Sequence, residues 1–253
     1  MRILLTNDDG IDARGLEVLR EIASHISDDI WVVAPATEQS ATSRSVSLHH
    51  PVRIDQRGEK EFAINGTPTD CVIMAFTVIL KDHPPDLVLS GVNRGQNMAE
   101  DVTYSGTVAG AFQAMQMGVP AMALSLARGF QGARSLPWET AIAHGPKLIQ
   151  ELLNKGWPKD VILNINFPDR APDDVSGLKY SSVGQRDHNL QGTQKRSHPR
   201  GGDYYWLIYG GALSNPKDGT DLKAIYDGYI SVSPLMLDLT DHKTLSQLRG
   251  EDA

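Results

Sequence analysis

Short apolar runs alternate with segments of helical periodicity over the first two-thirds of the chain, and few folds accept that order. Residues 3–6 form the first strand candidate, followed by a turn at Asp9-Gly10. Leu16, Leu19, Ile22, Ala23 and Ile26 then recur at the spacing of an amphipathic helix. Residues 30–34, 87–90, 121–126 and 161–165 are further strand candidates, and residues 46–54 are read as a hairpin with 62–64. Among the helices, one capped by Thr69 or Asp70 runs to about Leu80, and one of small residues covers 106–117. A third ends at Gly156, with a kink or break expected at Pro146. Parallel strands need crossovers, and strands apolar on both faces need cover on both, so the reading is α/β: a doubly wound, mainly parallel sheet.

Beyond about residue 175 the rhythm changes. Residues 204–209 and 229–232 read as strands, with no helix of comparable length between them. Gln185 to Asp203 is polar and lacks periodicity, and an unstructured loop of that length is uncommon in a compact domain. An extended arm gripping a second subunit, a lid over a site and plain disorder are the three readings, in that order. The whole chain, 1–253, is expected to be one α/β domain, with a core to about 175, an arm over about 176–212 and a C-terminal strand and tail over about 213–253.

Composition narrows the function classes. Lys and Arg number 24 against 31 Asp and Glu, a net charge of −7 that argues against a nucleic-acid polymer as partner. Cys71 is the single cysteine, so neither an internal disulfide nor a cysteine-rich metal site can form, and its apolar helix makes it a core residue. No run approaches the ~20 apolar residues a bilayer demands, and the N-terminal run is too short for a signal-peptide core. The expectation is a cytoplasmic protein with no membrane partner. His49 and His50 read as surface residues; His188 and His198, in the polar tract, read as solvent-exposed or as proton donors to a neighbouring cleft.

The chemistry gathers at strand ends. Asn7-Asp8-Asp9-Gly10 follows the first strand, and two neighbouring carboxylates converge only where the chain bends. Ser40 lies in the loop after the second strand, and Gly91-Val92-Asn93-Arg94-Gly95-Gln96-Asn97 follows residues 87–90. Tyr104-Ser105-Gly106-Thr107-Val108 opens a helix with hydroxyls and glycines. Alone, each has a plain structural reading as a turn or a helix cap. Together they fall at the carboxyl edge of the sheet, where open α/β folds bind ligands. Asp8, Asp9, the Asn93 carbonyl and the Ser40 hydroxyl form an oxygen-only donor set suited to Mg²⁺ or Mn²⁺. The helix start at Ser105, Gly106 and Thr107 offers N–H groups and a positive dipole end to an anion. A cation beside an anion cradle points to phosphate chemistry. No Gly-x-Gly-x-x-Gly follows a strand, no Walker-type Gly-Lys-Ser/Thr is present and no Gly-x-Ser-x-Gly occurs, which disfavours those ligand and nucleophile classes. Adjacent aspartates favour an activated water over a covalent carboxylate intermediate.

These motifs, with Gly228-Tyr229-Ile230-Ser231-Val232-Ser233-Pro234-Leu235 further on, resemble the SurE (survival protein E) family of 5′/3′-nucleotidases over essentially the whole chain. The resemblance implies a metal-dependent phosphomonoesterase acting on nucleoside monophosphates. It implies that Asp8, Asp9, Ser40 and Asn93 hold one divalent cation, with Co²⁺ admissible beside Mg²⁺ and Mn²⁺. Asn97, Ser105, Gly106 and Thr107 would lie around the phosphate, and Asp8, Asp9 and Asn97 would carry the catalysis. A Rossmann-like core with a β-hairpin arm and a C-terminal segment, both used in homodimer or homotetramer assembly, is also implied. The competing readings are a hydrolase of other small phosphate esters or short polyphosphate, and a nucleotide-binding regulator without hydrolysis.

Overall fold

The computed structural model describes residues 1–129, 136–188, 191–209 and 213–251. Its elements begin with β1 (Arg2–Thr6), α1 (Arg14–Ser24), β2 (Asp29–Pro35), β3 (Ile54–Gly58), β4 (Glu61–Ile64) and α2 (Pro68–Met74). They continue with β5 (Leu87–Arg94), α3 (Gly106–Gln116), β6 (Ala121–Leu126), α4 (Trp138–Lys155), β7 (Val161–Phe167) and β8 (Leu178–Tyr180). Last come β9 (Gln191–Ser197), β10 (Asp203–Tyr209), α5 (Asp221–Tyr226), β11 (Ile230–Met236) and α6 (His242–Arg249).

Nine of these strands form one sheet in the order β3-β4-β2-β1-β5-β6-β7-β11-β8. The run from β4 to β7 is parallel throughout, while β3 joins antiparallel to β4 and β11 antiparallel to β7. The chain therefore starts in the middle at β1, builds outward to β2 and β4, then returns to β5 and builds the other way. That reversal opens a crevice between the carboxyl ends of β1 and β5, the ligand position of doubly wound sheets. Helices cover both faces, as side-chain alternation along the strands requires. Ile3 and Leu5 pack with Leu16, Leu19 and Ile22 of α1 and Ile149 of α4. Leu4, on the other face, joins Val33, Ile64 and Val88 with Val72 of α2 and Val108 of α3. Cys71 is buried in this second layer, as expected from sequence.

Several expectations shift in detail. The cap of α2 is Thr67, whose hydroxyl accepts from the Asp70 N–H at 3.2 Å while the Asp70 carboxylate accepts from the Thr67 N–H at 2.9 Å. That reciprocal box, with Pro68 at the first helical position, replaces the expected Thr69 or Asp70 cap. After Met74 the helix widens into a π-turn over Ala75–Ile79. The hairpin strand begins only at Ile54, since Pro51 lacks a ladder donor and the Ser47 N–H is taken by Asp70 at 3.0 Å. The helix containing Pro146 runs through Trp138–Lys155 without a break. The polar tract supplies one strand of the β-hairpin arm that the family resemblance implies: β9 pairs antiparallel with β10 in a separate two-stranded sheet. No helix among the described residues is long and apolar enough to cross a membrane.

Candidate functional site

The turn after β1 is closed by Asn7, whose Nδ2 donates to the Gly10 carbonyl at 2.8 Å. It delivers Asp8 to the first turn of α3, where the Thr107 hydroxyl donates to Asp8 Oδ1. The next residue faces the end of β5: the Arg94 N–H donates to Asp9 Oδ2 at 3.0 Å. Two neighbouring acids thus straddle the crevice, one held by the helix start and one by the adjacent strand. Glycine at 106 is required by this closeness, because a Cβ there would stand 2.7 Å from Asp8 Cβ and 3.0 Å from its Oδ2.

Electrostatics follow from that placement. Burial pushes the Asp8 carboxyl up to about 6, with the Thr107 hydrogen bond holding it back and the Asp9 charge adding to the rise. Burial also raises Asp9, opposed by the Arg94 N–H and aided by the charge of Glu38. Two acids that resist ionisation side by side form a site that a cation relieves.

Asp8, Asp9, Ser40, Asn93, Asn97 and Ser105 line one cleft of about 390 Å³, together with Glu38, Arg94, Asp101, Tyr104 and Arg128. The Asn93 amide donates to the Gly95 carbonyl at 2.9 Å, which leaves its carbonyl oxygen as the group available to a ligand. The Ser40 hydroxyl donates to Glu38 at 2.8 Å and keeps its lone pairs. This oxygen set fits a hard divalent cation. Among the described residues no group of three or more His, Cys, Asp or Glu gathers in metal-binding array, so a cation here would rest on two carboxylates, neutral oxygens and water. The remaining two sequence candidates stand differently. Thr107 is fully buried with its hydroxyl turned to Asp8, and Gly106 lies behind the same carboxylate. Ser105 caps α3, accepting from the Val108 N–H at 3.0 Å.

Asn97 is braced by residues that the sequence reading passed over. Its N–H donates to Asn166 Oδ1 at 2.9 Å, and its carbonyl accepts from Asn164 at 2.8 Å and Asn166 at 3.1 Å. Its own amide donates to the Ser125 hydroxyl at 2.8 Å, leaving a second N–H on that nitrogen for the cleft. Asn164 and Asn166 alternate within the otherwise apolar strand Val161–Phe167, a two-residue period of buried polar groups that marks one face of β7.

A carboxylate pair opposite a helix N-terminus, at the switch point of an open parallel sheet, defines a Rossmann-like α/β protein with a polar ligand cleft. The chain belongs to the SurE family: the family model for Survival protein SurE matches residues 3–190. It is 55% identical over 249 residues to 5′-nucleotidase SurE of Hyphomonas neptunium, covering 98% of each chain. With 5′-nucleotidase SurE of Methylorubrum extorquens it shares 54% identity over 247 residues, 98% of this chain and 97% of that one. The crystal structure of the SurE protein from Aquifex aeolicus superposes with a TM-score of 0.85 at 34% identity, covering 100% of both chains.

Proposed function

We propose that the protein is a metal-dependent phosphomonoesterase that hydrolyses nucleoside 5′- and 3′-monophosphates to nucleoside and phosphate. The relatives bearing the name 5′-nucleotidase support the substrate class. The observation that carries the reading is the pair Asp8 and Asp9, both pushed toward the neutral form and both lining a cleft with Ser40 and Asn93. Those four residues would hold one Mg²⁺ or Mn²⁺, with Co²⁺ as a substitute. Such an ion, when bound, supplies Lewis-acid polarisation and a lowered pKa for water.

The protein's own groups supply the rest. Thr107 and the Arg94 N–H fix the two carboxylates, so that one oxygen of the pair takes the proton of the attacking water. Asn97 and Ser105, with the first turn of α3 at Gly106 and Thr107, meet the charge on the phosphoryl oxygens. Arg94 and Arg128 at the same cleft favour entry of a dianion against the negative net charge. Tyr104, half exposed in the cleft, offers a ring face to the nucleoside without a base-specific donor, which predicts loose base selectivity.

Colorimetric phosphate detection over a panel of nucleotides and metals tests this. Release with Mg²⁺, Mn²⁺ or Co²⁺, abolished by EDTA and reduced by orders of magnitude in Asp8→Asn and Asp9→Asn, is expected. Undiminished release in chelator would end the metal assignment. Tight nucleotide binding without release would favour a regulator, and faster release from sugar phosphates or short polyphosphate would move the substrate class.

A further inference from the structure

Asp221 lies at the start of α5, far from the cleft in sequence, and is fully buried. Its Oδ1 accepts from the Gly184 N–H at 2.8 Å and the Leu222 N–H at 2.7 Å, and its Oδ2 accepts from the Ala99 N–H at 3.0 Å. Three segments meet on one carboxylate: the helix that carries it, the strand exit leading to the β9–β10 hairpin, and the turn that follows Asn97. The approach at Gly184 leaves no room for a side chain, since a Cβ there would stand 2.9 Å from Asp221 Oδ1.

The turn it holds is unusual. Ala99 is buried with φ +50°, a left-handed conformation that residues with a Cβ seldom adopt and that persists only where the surroundings enforce it. Ala99 stands two residues after Asn97 and opens the 3₁₀ turn Ala99–Thr103, from which Asp101 and Tyr104 enter the cleft. The turn then feeds Ser105, whose N–H donates to the Asp101 carbonyl at 3.1 Å. This wall is fixed before Ala99 by Asn164 and Asn166 and after it by the cap of α3; between those points Asp221 holds it at the Ala99 N–H, while Ser43 bonds the Thr103 and Tyr104 carbonyls. Further along the hairpin's root, Arg186 bonds Glu100 and Asp101 of the same turn.

We propose that Asp221 is a positioning residue for the phosphatase site, holding the Asn97–Ser105 wall in register and linking that wall to the root of the hairpin arm. The role in turnover rests on the functional reading above; the tether itself does not.

Asp221→Asn in the full chain tests it. The single amide oxygen best serves the two donors at Gly184 and Leu222, which turns the NH₂ group against the Ala99 N–H. Hydrogen exchange in the peptide covering Ala99 should accelerate, a readout independent of catalysis. In kinetics, kcat/KM for a nucleoside monophosphate should fall about tenfold to a hundredfold. Inhibition by inorganic phosphate should weaken, while Mn²⁺ affinity holds because Asp8 and Asp9 have their own supports. Ala99→Gly in the Asp221→Asn background should recover part of the loss, since glycine takes positive φ without strain, and by itself should change little.

Unchanged exchange around Ala99, with kcat/KM within about a factor of two of the parent, would overturn the proposal. So would equal losses of phosphate and Mn²⁺ affinity that track stability, because a general structural role predicts them. If the parent protein releases no phosphate, the functional reading fails by itself, and exchange with phosphate binding still decides the tether. Should Asp221→Asn fail to fold, Gly184→Ala presses on the same carboxylate, and normal exchange and phosphate inhibition in that variant would be equally fatal.

Discussion

The Thr107 hydroxyl donates to the Asp8 carboxylate across 99 residues of sequence, joining the end of the first strand to the first turn of α3. The bond favours the ionised acid and partly offsets burial, whose net effect still pushes the Asp8 pKa up to about 6. Protons and a divalent cation then compete for Asp8 in a range reachable at the bench. Mn²⁺ affinity, followed by isothermal titration, should weaken about tenfold per pH unit as pH falls below about 6. In Thr107→Val the opposing hydrogen bond is gone, so the midpoint should move upward. An affinity flat from about pH 5 to about pH 8 would remove Asp8 from the cation site.

The same burial makes Asp8 a liability to the metal-free fold. A carboxyl raised from 3.8 to about 6 stabilises the folded state fully below the lower value, and that stabilisation is lost as pH rises through the upper one. Relative to the neutral acid, the ionised form costs about 3 kcal/mol at neutral pH. Asp8→Asn keeps an acceptor for Thr107 without the charge, so in EDTA at neutral pH its Tm should exceed that of the parent by several degrees. Below about pH 4 the difference should close. Mn²⁺ should raise the Tm of the parent and leave the variant where it is. A variant that melts lower at neutral pH would show the carboxylate to be stabilised by something other than a cation.

How far these groups could be read in advance depended on whether a local rule governed them. The strands around β1 and β5 were legible because both faces are buried, and the gathering of Asp8, Asp9, Ser40, Asn93, Asn97 and Ser105 in one cleft because they lie at strand ends, in the loops beyond them or at the helix start by the switch point. Strand β9 was not legible in the local pattern, and only the family resemblance implied a hairpin arm: its side chains from Gly192 to Ser197 are solvent-exposed, so no hydrophobic alternation marks it, and its pairing with β10 is what makes it a strand. Residues 46–53 showed partial alternation, yet the Ser47 N–H and hydroxyl are both spent on Asp70, a contact no local pattern encodes. Thr107 looked like an anion donor from its place at a helix start; only the tertiary fold shows its hydroxyl committed to Asp8.

Asn166 is the brace whose loss should be felt most. It accepts from the Asn97 N–H and donates to the Asn97 carbonyl, both buried. In Asn166→Ala the Asn97 N–H loses its acceptor, at a cost of about 1–3 kcal/mol, and the side chain proposed to meet phosphate loses its register. Steady-state kinetics should show kcat/KM down by about tenfold to a hundredfold, with the fold retained by circular dichroism. A loss of stability with unaltered kinetics would confine Asn166 to packing.

The hairpin poses a separate physical problem. An isolated two-stranded sheet is marginal in water, yet β10 exposes Tyr205 at 60%, Trp206 at 61% and Leu207 at 86%. Alternation places Trp206 on one face of the arm and Tyr205 and Leu207 on the other. An apolar strip on each face marks a surface made to be covered, and a second copy of the chain, carrying the same arm, is the occupant proposed here. Trp206→Glu with Leu207→Glu should lower the mass measured by light scattering after size exclusion, giving a smaller assembly than the dimer or tetramer expected of the parent. The cleft residues lie outside the arm, so Mn²⁺ binding should persist in the smaller species. Should the variant keep the mass of the parent, the strip serves another contact, and closure over the cleft becomes the reading to test by the kinetics of nucleotide release.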